Sequence, residues 1–299
     1  MPNPLSAAAQ QLIDPQARAL AANVRWLQLN LGGALANLNW PVAVLGEGTP
    51  LLMLHGFDSS FLEFRRIAPL LASNYQLWIP DLCGFGFCPR PIAAAYGPQL
   101  VIEHLLALTA VINAENPSAP LGLIGASMGG AVAIVLAREL EQANPKKLQQ
   151  ILLLAPAGLT GKPMPLPPLL DKLGVAFLGL AAVRKGLCRQ AFADPKSSVG
   201  AAEEEIASLH LQSPGWAHAL ACFARSGGFA GVGAPLPATP LTVLWGANDR
   251  ILRPPLRLAA AALLGDCCTE LQNCGHLPHL DQPEKVIAHW LNSQPKTPA

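Results

Sequence analysis

Gly125-Ala126-Ser127-Met128-Gly129 is the stretch of this 299-residue chain that decides its fold. It follows an apolar run at residues 121–124 and precedes an alanine-rich stretch at residues 131–137. A short apolar run, a turn of small residues and a helical pattern predict a strand, a sharp turn and a helix, with the serine at the apex. Small residues flank the serine because such a turn leaves no room for side chains beside it. We therefore predict an exposed serine hydroxyl at position 127.

Two later segments supply residues that can activate this serine. Asp249 lies in the turn after the apolar run 241–245, and His276 lies in a glycine-opened loop after the run 269–274. Folds that use this serine turn supply the acid and then the histidine in that order along the chain. The hydroxyl needs a base within reach, and the imidazole needs a carboxylate that fixes its tautomer. We predict a catalytic triad of Ser127, Asp249 and His276.

Other histidines and acids are alternatives to these assignments. His279 is the serious rival to His276 as the base, although its position favours a packing or pocket role. We expect His55 to brace its own loop by hydrogen bonds. Two acids, Asp58 and Asp81, precede the serine and would break the expected order.

We expect Asp81 to anchor its own loop. The remaining candidates, Asp266 and Asp281, are expected to be solvated turn residues. Asp266 lies close enough to the last strand to remain an alternative acid.

The negative charge that develops on a substrate oxygen needs fixed hydrogen-bond donors. Folds with this serine turn supply them from the amide after the serine and from an amide in the loop after an earlier strand. The first amide is that of Met128. For the second we assign Phe57, because it follows the apolar run 51–54 and Gly56 lets the backbone turn toward the site.

Strand-like runs alternate with helical patterns along most of the chain. Two candidate strands occur near residues 26–31 and 38–45, and six apolar runs follow at 51–54, 76–80, 121–124, 150–155, 241–245 and 269–273. This alternation predicts an α/β fold with a mostly parallel eight-stranded sheet covered by helices on both faces. The first few strands are candidates for antiparallel pairing.

About eighty residues without a clear core strand separate the sixth and seventh of these strands, which exceeds an ordinary connection. We therefore predict an inserted helical cap at residues 159–230, with residues 1–158 and 231–299 forming the core. Residues 169–183 are apolar on nearly every side of a would-be helix, and basic residues flank them. Such a helix is either packed inside the protein or lies in a membrane interface. The pocket is predicted to be lined by Phe57, Met128, Leu173, Phe177 and Leu277.

Composition excludes several classes of protein. A formal net charge of +1 with 13% charged residues provides no concentrated basic face for nucleic acid. Mean hydropathy is +0.33, yet no apolar run reaches the roughly 18–20 residues that cross a bilayer. The first residues carry no basic start before Asp14 and Pro15, so we expect no secretory signal and a cytoplasmic location.

These motifs resemble the α/β-hydrolase superfamily over nearly the whole chain. Three segments are also similar to chlorophyll dephytylases and their cyanobacterial relatives: residues 55–66, Ser226-Gly227-Gly228-Phe229, and residues 275–283. The resemblance implies hydrolysis of the phytyl ester of chlorophyll-type pigments at or near photosynthetic membranes, with peripheral membrane contact through the cap. The loop at residues 81–88 departs from the pattern, because it carries Cys83 and Cys88.

The predicted chemistry is two-step acyl transfer on a small hydrophobic ester, with no cofactor and no metal. Serine at the turn, where aspartate would be needed, argues against dehalogenase or epoxide hydrolase chemistry. Three alternatives remain open. They are a carboxylesterase or lipase acting on other lipophilic esters, a carbon–carbon bond hydrolase of the meta-cleavage type, and a binding protein that keeps the hydrolase scaffold. A cationic pocket would favour the carbon–carbon bond hydrolase, because the substrates of that class are acidic dienoates.

Overall fold

One eight-stranded sheet forms the centre of the protein in the computed structural model, which describes Leu5 and residues 9–293. The strand order is β1-β2-β4-β3-β5-β6-β7-β8. Strand β2 pairs antiparallel with β1 and with β4, and all the other neighbouring pairs are parallel. The strands are β1 Val24–Gln28, β2 Asn39–Leu45, β3 Thr49–Leu54, β4 Tyr75–Pro80, β5 Leu121–Ala126, β6 Leu148–Leu154, β7 Leu241–Gly246 and β8 Cys268–Leu271. The prediction of a mostly parallel sheet with antiparallel first strands is confirmed.

The parallel strands are apolar at successive positions because both faces of the sheet are covered. In β3, Leu52 and Leu54 belong to the hydrophobic cluster on one face, whereas Leu51 and Met53 belong to the cluster on the other. The helices outside the cap are α1 Pro15–Ala21, α2 Ala68–Leu71, α3 Pro98–Glu115, α4 Met128–Ala143, α10 Pro254–Leu264, α11 Pro278–Asp281 and α12 Pro283–Asn292. Apart from Leu5, the residues before position 9, on which the expectation about export depends, lie outside the described residues.

The long connection between β6 and β7, which lies wholly within the described residues, contains helices and loops but no strand. The helices are α5 Leu170–Leu178, α6 Ala181–Ala191, α7 Pro195–Ser198, α8 Ala201–Leu209 and α9 Trp216–Ser226. The apolar segment 169–183 is therefore two helices, separated at Gly179 and Leu180. We refer to this connection as the cap, and its exact limits at residues 159 and 230 stay a prediction. Within the described part of the chain, no helix is both long enough and apolar enough to cross a membrane.

The turn between β5 and α4 has the strained geometry that its sequence predicts. Ser127 has φ +50° and ψ −119°, which is rare for a residue with a side chain. A Cβ atom at Gly125 would overlap the carbonyl oxygen of Gly129, and one at Gly129 would overlap the carbonyl oxygen of Leu54. The glycines therefore let α4 start directly against β3, and the serine backbone is fixed by its amide, which donates to Leu154 O at 2.9 Å.

Gly129→Ala is expected to lower the free energy of unfolding by about 3 kcal/mol, because the added methyl group would meet backbone that cannot move aside. Chemical denaturation monitored by circular dichroism measures this change. Gly32→Ala is the matched control, since a Cβ atom at Gly32 meets nothing within 4 Å. Equal stability of the two variants would contradict the packing argument.

Candidate active site

The structure brings Ser127, His276 and Asp249 together in one hydrogen-bonded relay. The hydroxyl oxygen of Ser127 lies 2.9 Å from Nε2 of His276, and Nδ1 of His276 lies 2.9 Å from Oδ2 of Asp249. An ionised carboxylate only accepts hydrogen bonds, so Nδ1 carries the proton and Nε2 is left to accept from the serine. Oδ1 of Asp249 accepts from the amides of Ile251 and Leu252 at 2.9 and 3.0 Å, which fixes the orientation of the carboxylate.

Two opposing influences act on the pKa of Asp249. Burial, the largest of them, raises it, but the hydrogen bond from His276 and the two amide donors together bring the pKa below its ordinary value. Asp249 is therefore ionised at neutral pH. That charge state is the one that holds the imidazole in the tautomer required of a general base.

The amides of Phe57 and Met128 are free to act as oxyanion donors. Neither amide donates a hydrogen bond to any group in the described part of the chain. The loop that carries Phe57 is held firmly on its core side. Nε2 of His55 accepts from the amide of Leu82 at 3.0 Å, Nδ1 donates to Gly56 O at 2.8 Å, and the amide of Gly56 donates to Glu63 at 3.1 Å.

His55 therefore braces its loop, as expected. Burial lowers its pKa to about 4, so the ring is neutral at pH 7. The rival base His279 does not face the serine. Its ring is fully buried beside Phe64, and its Nε2 lies 3.1 Å from Oε1 of Glu63.

The alternative acids have other contacts. Asp81 accepts from the amides of Phe61 and Phe87 at 2.7 and 2.6 Å, so it anchors its loop as expected. Burial raises the pKa of Asp81 to about 7. Asp266 is exposed, and the hydrogen bond of His276 goes to Asp249 instead.

The expectation that Asp281 is a solvated turn residue is wrong. Its Oδ2 accepts from the amide of Gly275, directly before the base, at 2.6 Å and from the amide of Ala193 in the cap at 2.9 Å. The base loop also contacts the cap through the amide of His276, which donates to Ala191 O at 2.7 Å. A Cβ atom at Gly275 would overlap that same carbonyl, so glycine permits this close approach.

The role of Asp58 is a feature of the site that the sequence did not predict. Its carboxylate faces the cap, where it accepts from Nη1 of Arg184 at 2.6 Å and from Nε1 of Trp216 at 2.8 Å, and lies 3.1 Å from Nε2 of His210. Burial raises the pKa of Asp58, but the contacts with His210, Arg184 and Trp216 outweigh it and lower the pKa to about 2. No local sequence pattern predicts these contacts, because the partners of Asp58 are 126 or more residues away in the chain.

A cavity of about 240 Å³ lies beside Ser127 and His276, and its wall is mainly apolar. Charged groups in the wall are Asp58, Glu63 and Arg184. Phe57 also lines a second cavity of about 320 Å³. Of the predicted lining residues, Leu277 lines the first cavity and Met128 lines the second.

The prediction that Leu173 and Phe177 line this pocket is wrong. Their side chains point outward from α5 and are 57% and 59% exposed, whereas Leu178 of the same helix lines the cavity. The sequence misleads here because the acidic side chain of Asp171 is buried on the inner side of the helix, where it lies 3.5 Å from Arg225, while apolar side chains occupy the outer side.

The chain belongs to the alpha/beta hydrolase family, whose model matches residues 51–289. It is 28% identical to the alpha/beta hydrolase domain-containing protein VTE7 of Arabidopsis thaliana over 93% of this chain and 86% of that protein. It is 26% identical to a 2-hydroxymuconate semialdehyde hydrolase of Pseudomonas sp. strain CF600, over 81% of this chain and 86% of that enzyme. Among solved structures, a membrane phospholipase A superposes with a TM-score of 0.70 at 22% identity, covering 97% of this chain and 94% of that one.

Acid should selectively remove the contribution of Glu63 to stability. Burial raises the pKa of Glu63, but the contacts with His279, His55 and Ser59 together outweigh it and lower the pKa to about 2, below the ordinary 4.5. A lowered folded-state pKa stabilises the protein above the unfolded pKa, and this stabilisation disappears as pH falls from about 4.5 to about 2. The difference in melting temperature between the wild type and Glu63→Gln should therefore narrow over that range. The exposed Glu47→Gln is the control, and a pH-independent difference would contradict the prediction.

Proposed function

We propose that this protein is a serine hydrolase that cleaves hydrophobic carboxylic esters, with the phytyl ester of chlorophyll-type pigments as the preferred substrate. The single observation that carries the proposal is the relay from Ser127 through His276 to Asp249, which lies beside an apolar cavity lined by Phe57 and directly before the free amide of Met128. This combination supplies a nucleophile, its base, the orienting acid and an oxyanion site.

The reaction proceeds in two steps. His276 takes the proton of Ser127 as the serine oxygen attacks the ester carbonyl, and the amides of Phe57 and Met128 stabilise the resulting oxyanion. The tetrahedral intermediate collapses, the alcohol leaves with the proton from His276, and an acyl-serine remains. Water then attacks this second ester with His276 again as the base, which releases the acid and regenerates the serine.

The charges in the cavity favour a neutral lipophilic substrate over an acidic one. Arg184 is the cationic side chain in the wall, and it is already paired with Asp58 at 2.6 Å. Glu63 adds a second carboxylate to the same wall. An acidic dienoate would find no unpaired guanidinium there, which argues against meta-cleavage chemistry. The three segments that resemble chlorophyll dephytylases support a phytyl ester within the remaining class.

Incubation with chlorophyll a in detergent tests the proposal directly. The wild type should release phytol and chlorophyllide, and Ser127→Ala should lower the rate by at least about 10³-fold because the nucleophile is lost. Ser73→Ala, an exposed serine remote from the site, should keep the wild-type rate. Product analysis by chromatography measures both products.

The other outcomes distinguish the alternatives. Hydrolysis of p-nitrophenyl or acylglycerol esters without phytol release would identify a different lipophilic esterase. Failure of a fluorophosphonate probe to label Ser127 would indicate a binding protein. Turnover of an acidic dienoate would overturn the charge argument.

We also propose that the cap touches the surface of photosynthetic membranes from the cytoplasmic side. The side chains of Leu170, Leu173 and Phe177 form an exposed apolar stripe on α5, each more than half exposed. Exposed Lys162 and Lys172 lie close to it in the chain, where they can meet anionic lipid. The basic residues at the other end of the segment contribute less, because Lys185 is paired with Glu204 at 3.0 Å.

Sedimentation with phosphatidylglycerol vesicles tests this contact. Leu173→Ser combined with Phe177→Ser should weaken binding at least about tenfold, because two apolar side chains no longer enter the interface. Leu258→Ser is the matched control, since Leu258 is also exposed but belongs to core helix α10. Unchanged binding of the double variant would reject the cap stripe as the membrane surface.

A further inference from the structure

The carboxylate of Asp58 joins the cap to the loop that carries the Phe57 amide. Its three partners come from three separate parts of the cap: Arg184 from α6, His210 from the short turn after α8, and Trp216 from α9. Asp58, Arg184 and His210 are buried, so water screens their contacts weakly, and Trp216 is partly buried. A single core residue therefore fixes the position of three cap elements.

The backbone of Asp58 is also unusual. Its φ is +48°, a left-handed conformation that costs energy for a residue with a side chain and persists only where the surroundings impose it. Its carbonyl oxygen receives a further hydrogen bond from Nη2 of Arg184 at 3.3 Å. The cap therefore contacts both the side chain and the main chain of the residue directly after Phe57.

The two ends of the loop are held differently. On the core side, His55 is bonded to the Leu82 amide and Gly56 to Glu63, independently of the cap. On the other side, every polar contact that Asp58 makes within the described part of the chain is with a cap residue. The direction of the Phe57 amide is therefore determined from one side by the core and from the other by the cap.

We propose that Asp58 is a positioning residue that couples the seating of the cap to the oxyanion site, so that the Phe57 amide is correctly placed only while the cap is docked. This inference rests on the proposed function. An oxyanion donor acts at 2.7–3.1 Å, so a small shift of the loop removes much of its effect. The arrangement would link ester cleavage to enclosure of the substrate.

Glu203 provides a matched control for the test. It lies in cap helix α8 and receives hydrogen bonds from Arg65 and Arg66 of the core at 3.2 and 2.6 Å. It therefore also ties the cap to the core, but its hydrogen bonds and ion pairs with the described residues do not involve the loop 55–58. Asp58→Asn and Glu203→Gln each replace a carboxylate by an amide of nearly the same shape.

The experiment compares kcat and KM for p-nitrophenyl acetate, an ester too small to need the cap for binding. Asp58→Asn should lower kcat about tenfold or more and change KM by less than about twofold, because only transition-state stabilisation is lost. The Ki of a trifluoromethyl ketone, whose adduct places an oxyanion in the same site, should rise by the same factor. Glu203→Gln should leave all three constants within about twofold of the wild type.

A common effect of both variants, or a rise in KM alone, would show that Asp58 only attaches the cap and would overturn the proposal. Trp216→Phe removes one donor to Asp58 while keeping the carboxylate, and it should lower kcat by a smaller factor. If Asp58→Asn does not fold, the Trp216→Phe variant replaces it in the test. An unchanged kcat of Trp216→Phe would then reject the coupling between the cap and the oxyanion site. Loss of the proposed function itself has a separate signature, namely a Ser127→Ala variant as active as the wild type.

Discussion

The positive φ of Ser127 is the constraint on which the rest of this structure depends. It is maintained because β5 ends directly against the start of α4, and glycines on both sides of the serine allow backbone to touch backbone. The strained backbone directs the hydroxyl out of the sheet edge, and it places the Met128 amide at the first turn of the helix. The parallel strands β7 and β8 then bring Asp249 and His276 to the same edge.

Charged side chains and apolar packing together define how the cap meets the catalytic loops, since Val175, Leu220 and Phe223 of the cap belong to the same hydrophobic cluster as the core. Asp58 holds α6 and α9, Asp281 ties the base loop to Ala193, and Glu203 holds Arg65 and Arg66. Breaking a buried pair by removing one partner is costly because the other charge is left unpaired. Such contacts have strict geometric requirements, so they fix one docked position of the cap where apolar surfaces would tolerate several.

The same pairs determine the character of the cavity. With Arg184 paired to Asp58, the guanidinium is not available to an acidic substrate, and the wall next to the serine is mainly apolar. On the outer face of the cap, leucine and phenylalanine side chains are exposed to solvent. Both faces of the cap are therefore compatible with the proposed function, the inner face with cleavage of a lipophilic ester and the outer face with contact to a membrane.

By itself, the sequence determined the eight strands, the serine turn and the order in which serine, acid and base appear, because these depend on local periodicity and on glycines next to the serine. The strand ends differed by a few residues at most, as between the predicted run 269–273 and β8 Cys268–Leu271. Only the tertiary structure decided that Leu178 and not Leu173 faces the cavity, that Asp281 joins the cap, and that Asp58 meets Arg184 across 126 residues. Contacts between charged groups so far apart leave no periodic trace, and they exist only once the chain has folded.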